Sequence, residues 1–218
     1  MKADVNNIIL NYIIEGNGNP LILLHGNGED HHIFDKLIEK LKENFTVYAI
    51  DSRNHGDSTK TQDYSYETMA KDIYQFIKKL GLKEVSVVGF SDGAIISLLL
   101  SIKYQNIFKK MALLGVNLKP EDFKKNIYSY LQYEYEKNND PLVKMMLEQP
   151  QIDLNELKVI STPTLVIAAQ NDLFYRKSFL NIVKTMTNAT LKVIPKHDHG
   201  SYIINNDLLY SDLKDFLL

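Results

Sequence analysis

Residues 84–104, EVSVVGFSDGAIISLLLSIKY, constrain this chain more than any other stretch. A β-branched apolar run (Val85, Val87, Val88) ends in Gly89-Phe90-Ser91-Asp92-Gly93, and an apolar, helix-prone run follows at once. That is Gly-x-Ser-x-Gly between a strand and a helix, the context in which the motif carries a nucleophile. A serine on so sharp a turn sits in strained backbone. Side chains two residues either side of it would collide with the neighbouring strand and helix, so glycine is expected at both places. Ser91 Oγ then projects from the carboxyl edge of a sheet, above the N–H groups and positive dipole end of a helix, where an oxyanion is favoured.

Strand and helix patterns alternate along the rest of the chain, which predicts a largely parallel α/β sheet with helices on both faces. Strands are expected at 8–14, 20–24, 46–50, 85–89, 109–114, 164–169 and 190–194. Helices are expected at 30–43, 66–80, 92–104, 176–187 and 206–217, where apolar residues recur at helical spacing. Residues 116–160 break the alternation, with tyrosines, acidic residues and no strand pattern. Two or three short helices inserted over the carboxyl edge of the sheet, a cap or lid within a single 1–218 domain, are expected there.

The chain has 218 residues and is 44% hydrophobic, enough for one domain with a sizeable core. With 25 basic against 27 acidic residues and no long run of one sign, it lacks the electrostatic footprint of a nucleic-acid partner. No apolar run reaches membrane-spanning length, so no membrane insertion is expected. The first residues do not read as a signal peptide, and a cytoplasmic protein, monomer or homodimer, is the expectation. The absence of cysteine excludes disulfides, thiolate metal sites and a cysteine nucleophile. No His, Asp and Glu cluster has metal-ligand spacing, so no metal and no cofactor are expected.

A serine hydroxyl needs a base, and the base an orienting acid, each at the carboxyl end of a later strand. Asp172 follows the strand 164–169, although it could instead cap the next helix. Beyond the strand 190–194 stand His197 and His199. His199 is preferred because Gly200 follows it and a loop from Pro195 would have the length to reach back across the edge. After the strand 20–24, the loop His25-Gly26-Asn27-Gly28 can turn a backbone N–H toward Ser91. His25 is expected to brace this loop and to border the pocket.

The chain resembles the α/β-hydrolase superfamily. The resemblance rests on Leu23-Leu24-His25-Gly26, on Asp51-Ser-Arg53-Asn-His55-Gly56-Asp-Ser58, on the Gly89–Gly93 turn, on Asn171-Asp172 and on His199. It implies a sheet of about eight strands, a Ser91–Asp172–His199 triad in the family's order, and an oxyanion hole formed by the amides of Asn27 and Asp92. Two departures stand out: the cap is short, and an aspartate follows the serine where relatives often carry a small residue or methionine. Ser-Asp-Gly is similar to the turn of biphenyl-hydrolase-like enzymes, some of which accept amino-acid esters. The Asp92 carboxylate could pair with a substrate ammonium, but capping the following helix is the simpler role. Phe90, Phe123, Tyr128, Tyr130 and Leu131 are candidate pocket walls.

The resulting expectation is a serine hydrolase that cleaves a small carboxylic ester through an acyl-enzyme. The same triad would serve a C–C bond, thioester or amide hydrolase or an acyltransferase. A ligand-sensing regulatory protein on this fold is the non-enzymatic alternative.

Overall fold

The computed structural model describes residues 1–218. Eight strands form one sheet: β1 (Lys2–Val5), β2 (Ile8–Glu15), β3 (Asn19–Leu24), β4 (Phe45–Ile50), β5 (Ser86–Phe90), β6 (Met111–Leu114), β7 (Thr164–Asn171) and β8 (Ala189–Asp198). Their spatial order is β1-β2-β4-β3-β5-β6-β7-β8. The pairs β1–β2 and β2–β4 are antiparallel; every later pair is parallel.

β1 is not anticipated by the apolar pattern, because only Ala3 and Val5 of its four residues face inward. Its hairpin does have a local cause. Asn6 and Asn7 hold φ of 48° and 63°, the two left-handed positions that a twisted two-residue hairpin turn demands and asparagine tolerates.

The parallel strands are apolar on both faces because both are covered. Ile22 and Leu24 belong to one apolar cluster with helices α2 (Tyr66–Lys79), α3 (Asp92–Lys103) and α6 (Arg176–Thr185). Leu21 and Leu23, one residue out of phase, pack with α1 (Asp35–Leu41) and α7 (Tyr210–Leu217). Helix α2 shows how the sequence sets such an element. Ser65 accepts the Thr68 N–H at its start, Met69, Ile73 and Phe76 form the buried stripe, and Gly81 at φ 61° ends it.

Between β6 and β7 lie a 3-10 turn at Pro120–Asp122, helices α4 (Lys125–Asn138) and α5 (Pro141–Glu148), and a second 3-10 stretch at Leu154–Val159. These parts behave differently. No residue of α4 is buried, whereas Leu157 and Ile160 are buried in the sheet's main apolar cluster. Residues 150–160 thus form a crossover packed against α3 and α6. Residues 120–149 add Phe123 and Met145 to that cluster and also meet the loops at the sheet's carboxyl end: Asp122 O accepts from Tyr175 N, and Leu173 O from Lys124 N.

Candidate active site

Ser91 sits between β5 and α3 with φ 50° and ψ −111°, a strained conformation for a residue with a side chain. Close packing makes the flanking glycines necessary. A Cβ on Gly93 would lie 2.1 Å from Leu24 O, and one on Gly89 would lie 2.3 Å from Gly93 O. The first turn of α3 is thereby pressed against the end of β3, and Gly93 N donates to His25 O at 3.0 Å.

His199 Nε2 lies 3.1 Å from Ser91 Oγ, and His199 Nδ1 lies 2.8 Å from Asp172 Oδ1. The other Asp172 oxygen accepts the Ala169 N–H at 2.9 Å. Burial pushes the Asp172 pKa up, but the hydrogen bond and charge of His199, with the Ala169 and Phe174 N–H groups, outweigh it and hold the carboxyl below its ordinary value. The imidazole is wedged between the Phe90 and Phe174 rings, at centroid distances of 5.1 and 5.4 Å. Gly115, at φ 59°, leaves it room: a Cβ there would stand 2.5 Å from His199 Cε1.

His197 instead pairs with Ser201 Oγ at 3.0 Å. The reason His199 reaches Ser91 differs from the expected one. No long loop spans the sheet edge; β8 itself continues to Asp198, pairing with Asn171 across an irregular register.

The Asn27 and Asp92 amides are both available. Of the first four N–H groups of α3, Gly93 donates to His25 O and Ala94 and Ile95 to Ser91 O, leaving that of Asp92. No hydrogen bond within the protein occupies the Asn27 N–H. The Asp92 side chain does not face solvent and does not cap α3. It is 3% exposed and accepts from Tyr66 Oη at 2.7 Å and Asn27 Nδ2 at 3.0 Å. Its burial raises its pKa.

His25 is a brace and not a pocket wall, which corrects part of the sequence reading. It is 1% exposed, its Nε2 accepts from Ser52 N and its Nδ1 donates to Gly26 O. Burial first, and His55 second, lower its pKa to about 4, so the ring is neutral. Tyr130 is not among the residues that line the cleft beside Tyr128. It is 59% exposed on the outer face of α4, while Tyr128 and Leu131, three residues apart, share the half-buried side. Phe90 is buried under His199. Phe123 is buried against Phe174 at 4.7 Å, and with Tyr128, Lys125 and Tyr175 it lines a cleft of about 410 Å³.

The Asp51–Ser58 segment is structural. Asp51 is buried and accepts from Asn11, His31 and Asp57; burial opposes ionisation, but these bonds prevail and lower its pKa to about 2. Arg53 pairs with buried Asp72 through Nε and Nη2. Asp30, His31 and His32 are the side chains gathered closely enough to hold a metal, within 4.8 Å of one another. Both imidazole Nδ1 atoms there are already engaged, by Asp51 and Asp35.

Sequence reasoning passed over Glu29. Its Oε2 accepts the Gly26 N–H at 2.9 Å, and burial raises its pKa from 4.5 to about 7. The only signal was its place two residues after Asn27. Because the folded pKa lies above the unfolded one, the folded state holds the extra proton between about pH 4.5 and 7, and stability falls as pH rises through that window. Glu29→Gln is expected to abolish this loss, on the order of 3 kcal/mol at most. Melting curves at pH 5 and pH 8 check it: wild type should lose more than the variant.

A family model described as the alpha/beta hydrolase fold matches residues 19–142, from β3 into α5. Over 98 residues the chain is 34% identical to ethanol acetyltransferase 1 of Cyberlindnera jadinii, covering 44% of this chain and 29% of that protein. The chain thus spans about a third of the length of that relative. It is 27% identical to the serine hydrolase BPHL of Mus musculus, over 99% of this chain and 85% of that one. Its fold is shared with a meta-cleavage product hydrolase of Pseudomonas fluorescens IP01, with a TM-score of 0.81 at 18% identity, covering 99% and 96% of the two chains.

Proposed function

As this chain belongs to the alpha/beta hydrolase family, we propose that it is a serine hydrolase that cleaves a small carboxylic ester through an acyl-enzyme. The observation that carries this reading is the continuous relay from Asp172 Oδ1 through His199 to Ser91 Oγ, with links of 2.8 and 3.1 Å. His199 accepts the Ser91 proton as Oγ attacks the acyl carbonyl, and Asp172 holds the Nδ1–H tautomer. The Asn27 and Asp92 amides receive the oxyanion. His199 then protonates the departing alcohol, and water attacks the acyl-enzyme by the same route. Residues 120–149 act as the lid, with Phe123, Tyr128 and Leu131 on its inner side bordering the acyl group. The full-length similarity to a serine hydrolase supports this reading.

Intact mass after exposure to a fluorophosphonate tests it. One adduct on wild type and none on Ser91→Ala is expected; an unlabelled wild type would overturn the assignment.

A second reading keeps every residue in its role and replaces water with an alcohol, making the chain an acyltransferase. The similarity to an ethanol acetyltransferase favours it. Products of ester turnover in the presence of ethanol separate the two: free acid marks hydrolysis, and an ethyl ester marks transfer.

A further inference from the structure

The two residues that offer their backbone amides to the oxyanion are also joined through their side chains. Asn27 Nδ2 donates to Asp92 Oδ2 at 3.0 Å, and the same amide group reaches Leu142 O, in the first turn of α5, at 3.3 Å. The other Asp92 oxygen accepts from Tyr66 Oη. Gln149, just past α5, holds that helix to the start of α2: its Nε2 donates to Tyr64 O at 2.9 Å, and its Oε1 accepts from Tyr66 N at 3.2 Å. The chain of bonds therefore runs from the 116–160 segment through Asn27 to Asp92 and on to α2.

Burying a carboxylate is costly unless donors replace its water, and here Asn27 and Tyr66 replace it. Each Asp92 oxygen accepts a hydrogen bond from within the protein and the residue is 3% exposed, so the carboxylate is bound up in the fold and not presented to a substrate cation. The Asn27 loop does need holding. The next residue, Gly28, has φ 71° and no atom within 4 Å of where its Cβ would be, so packing does not hold the loop there. Polar links at Gly26, from Glu29, and at Asn27 do.

We propose that the Asn27–Asp92 side-chain link is a positioning clamp. It sets the spacing of the two oxyanion amides and makes that spacing depend on the seating of α5 through Leu142. The inference rests on the serine hydrolase reading. An oxyanion hole acts only when its donors match the place where charge develops, so loosening the clamp weakens transition-state binding more than substrate binding.

The test is steady-state kinetics of ester hydrolysis on Asn27→Ala, which keeps the backbone N–H and loses the clamp. A fall in kcat of roughly 10- to 100-fold is expected, short of the ~10²–10³ lost with a whole donor. KM should stay within about twofold. Asp92→Ala should match it, and the double variant should be no worse than either, because the two act as one unit. Asp92→Asn retains an acceptor for Asn27 and should recover most of kcat. Tyr66→Phe removes a single bond, and should lower kcat severalfold with KM unchanged. It keeps the test decisive if the Asp92 variants do not fold. If wild type turns over esters through Ser91 while Asn27→Ala and Tyr66→Phe keep full kcat, the clamp is wrong and the hydrolase reading stands. If wild type shows neither turnover nor a fluorophosphonate adduct, the hydrolase reading itself falls.

Discussion

Ser91→Ala is expected to abolish ester turnover, with a loss in kcat on the order of a millionfold. The size follows from the arrangement. Removing Oγ takes away the only hydroxyl that His199 Nε2 contacts, so the relay from Asp172 ends on nothing. The residual rate would come from the oxyanion amides and from binding alone. Folding should not suffer, because alanine meets the φ of 50° at Ser91 on the same terms as serine and leaves the glycine packing untouched. Melting temperature and turnover, measured on one preparation, separate the two effects. Turnover surviving in a well-folded variant would remove Ser91 from the mechanism.

Asp172→Asn should cost about 10⁴-fold in kcat, and the hydrogen bonds around the carboxylate give the reason. One oxygen accepts the Ala169 N–H, which only an oxygen can do. In the variant the amide oxygen must therefore remain there, which turns the NH₂ toward His199 Nδ1. That nitrogen can then only accept, so the imidazole proton moves to Nε2, facing Ser91. The base has become a donor. A kcat within tenfold of wild type would mean that another group orients His199. A pH–rate profile adds a check, since recovery at high pH would signal hydroxide replacing the lost base.

The fold was legible because its cues are local. Apolar strand runs, helical stripes and the glycines around Ser91 each act over a few residues, and the order of the elements then leaves little topological choice. Where the cue was weak, the reading failed. β1 contributes two inward residues, too few to register as alternation, although Asn6-Asn7 marked its turn. The expected helix at 30–43 is a 3-10 turn at His31–Phe34 followed by α1, because Asp30 caps the segment through His32 N and Asp51 draws in the His31 backbone and ring. The exposure of Tyr130 escapes the sequence for another reason. Periodicity shows which residues share a face of α4 but not which face turns inward.

The element order, and the strand ends where a nucleophile, an acid and a base could stand, follow from chain order and short-range sterics, which are properties of the chain alone. What each polar group does depends on the packing around it. Asp92 is a buried acceptor because Tyr66, 26 residues earlier, lies against it. His25 is a neutral brace because Ser52 N meets its ring. Gly115 leaves the space that His199 fills. Glu29 holds its proton to about pH 7 because the fold removes water from it. Desolvation and hydrogen-bond partnership depend on residues distant in sequence, so they exist only once the chain has packed.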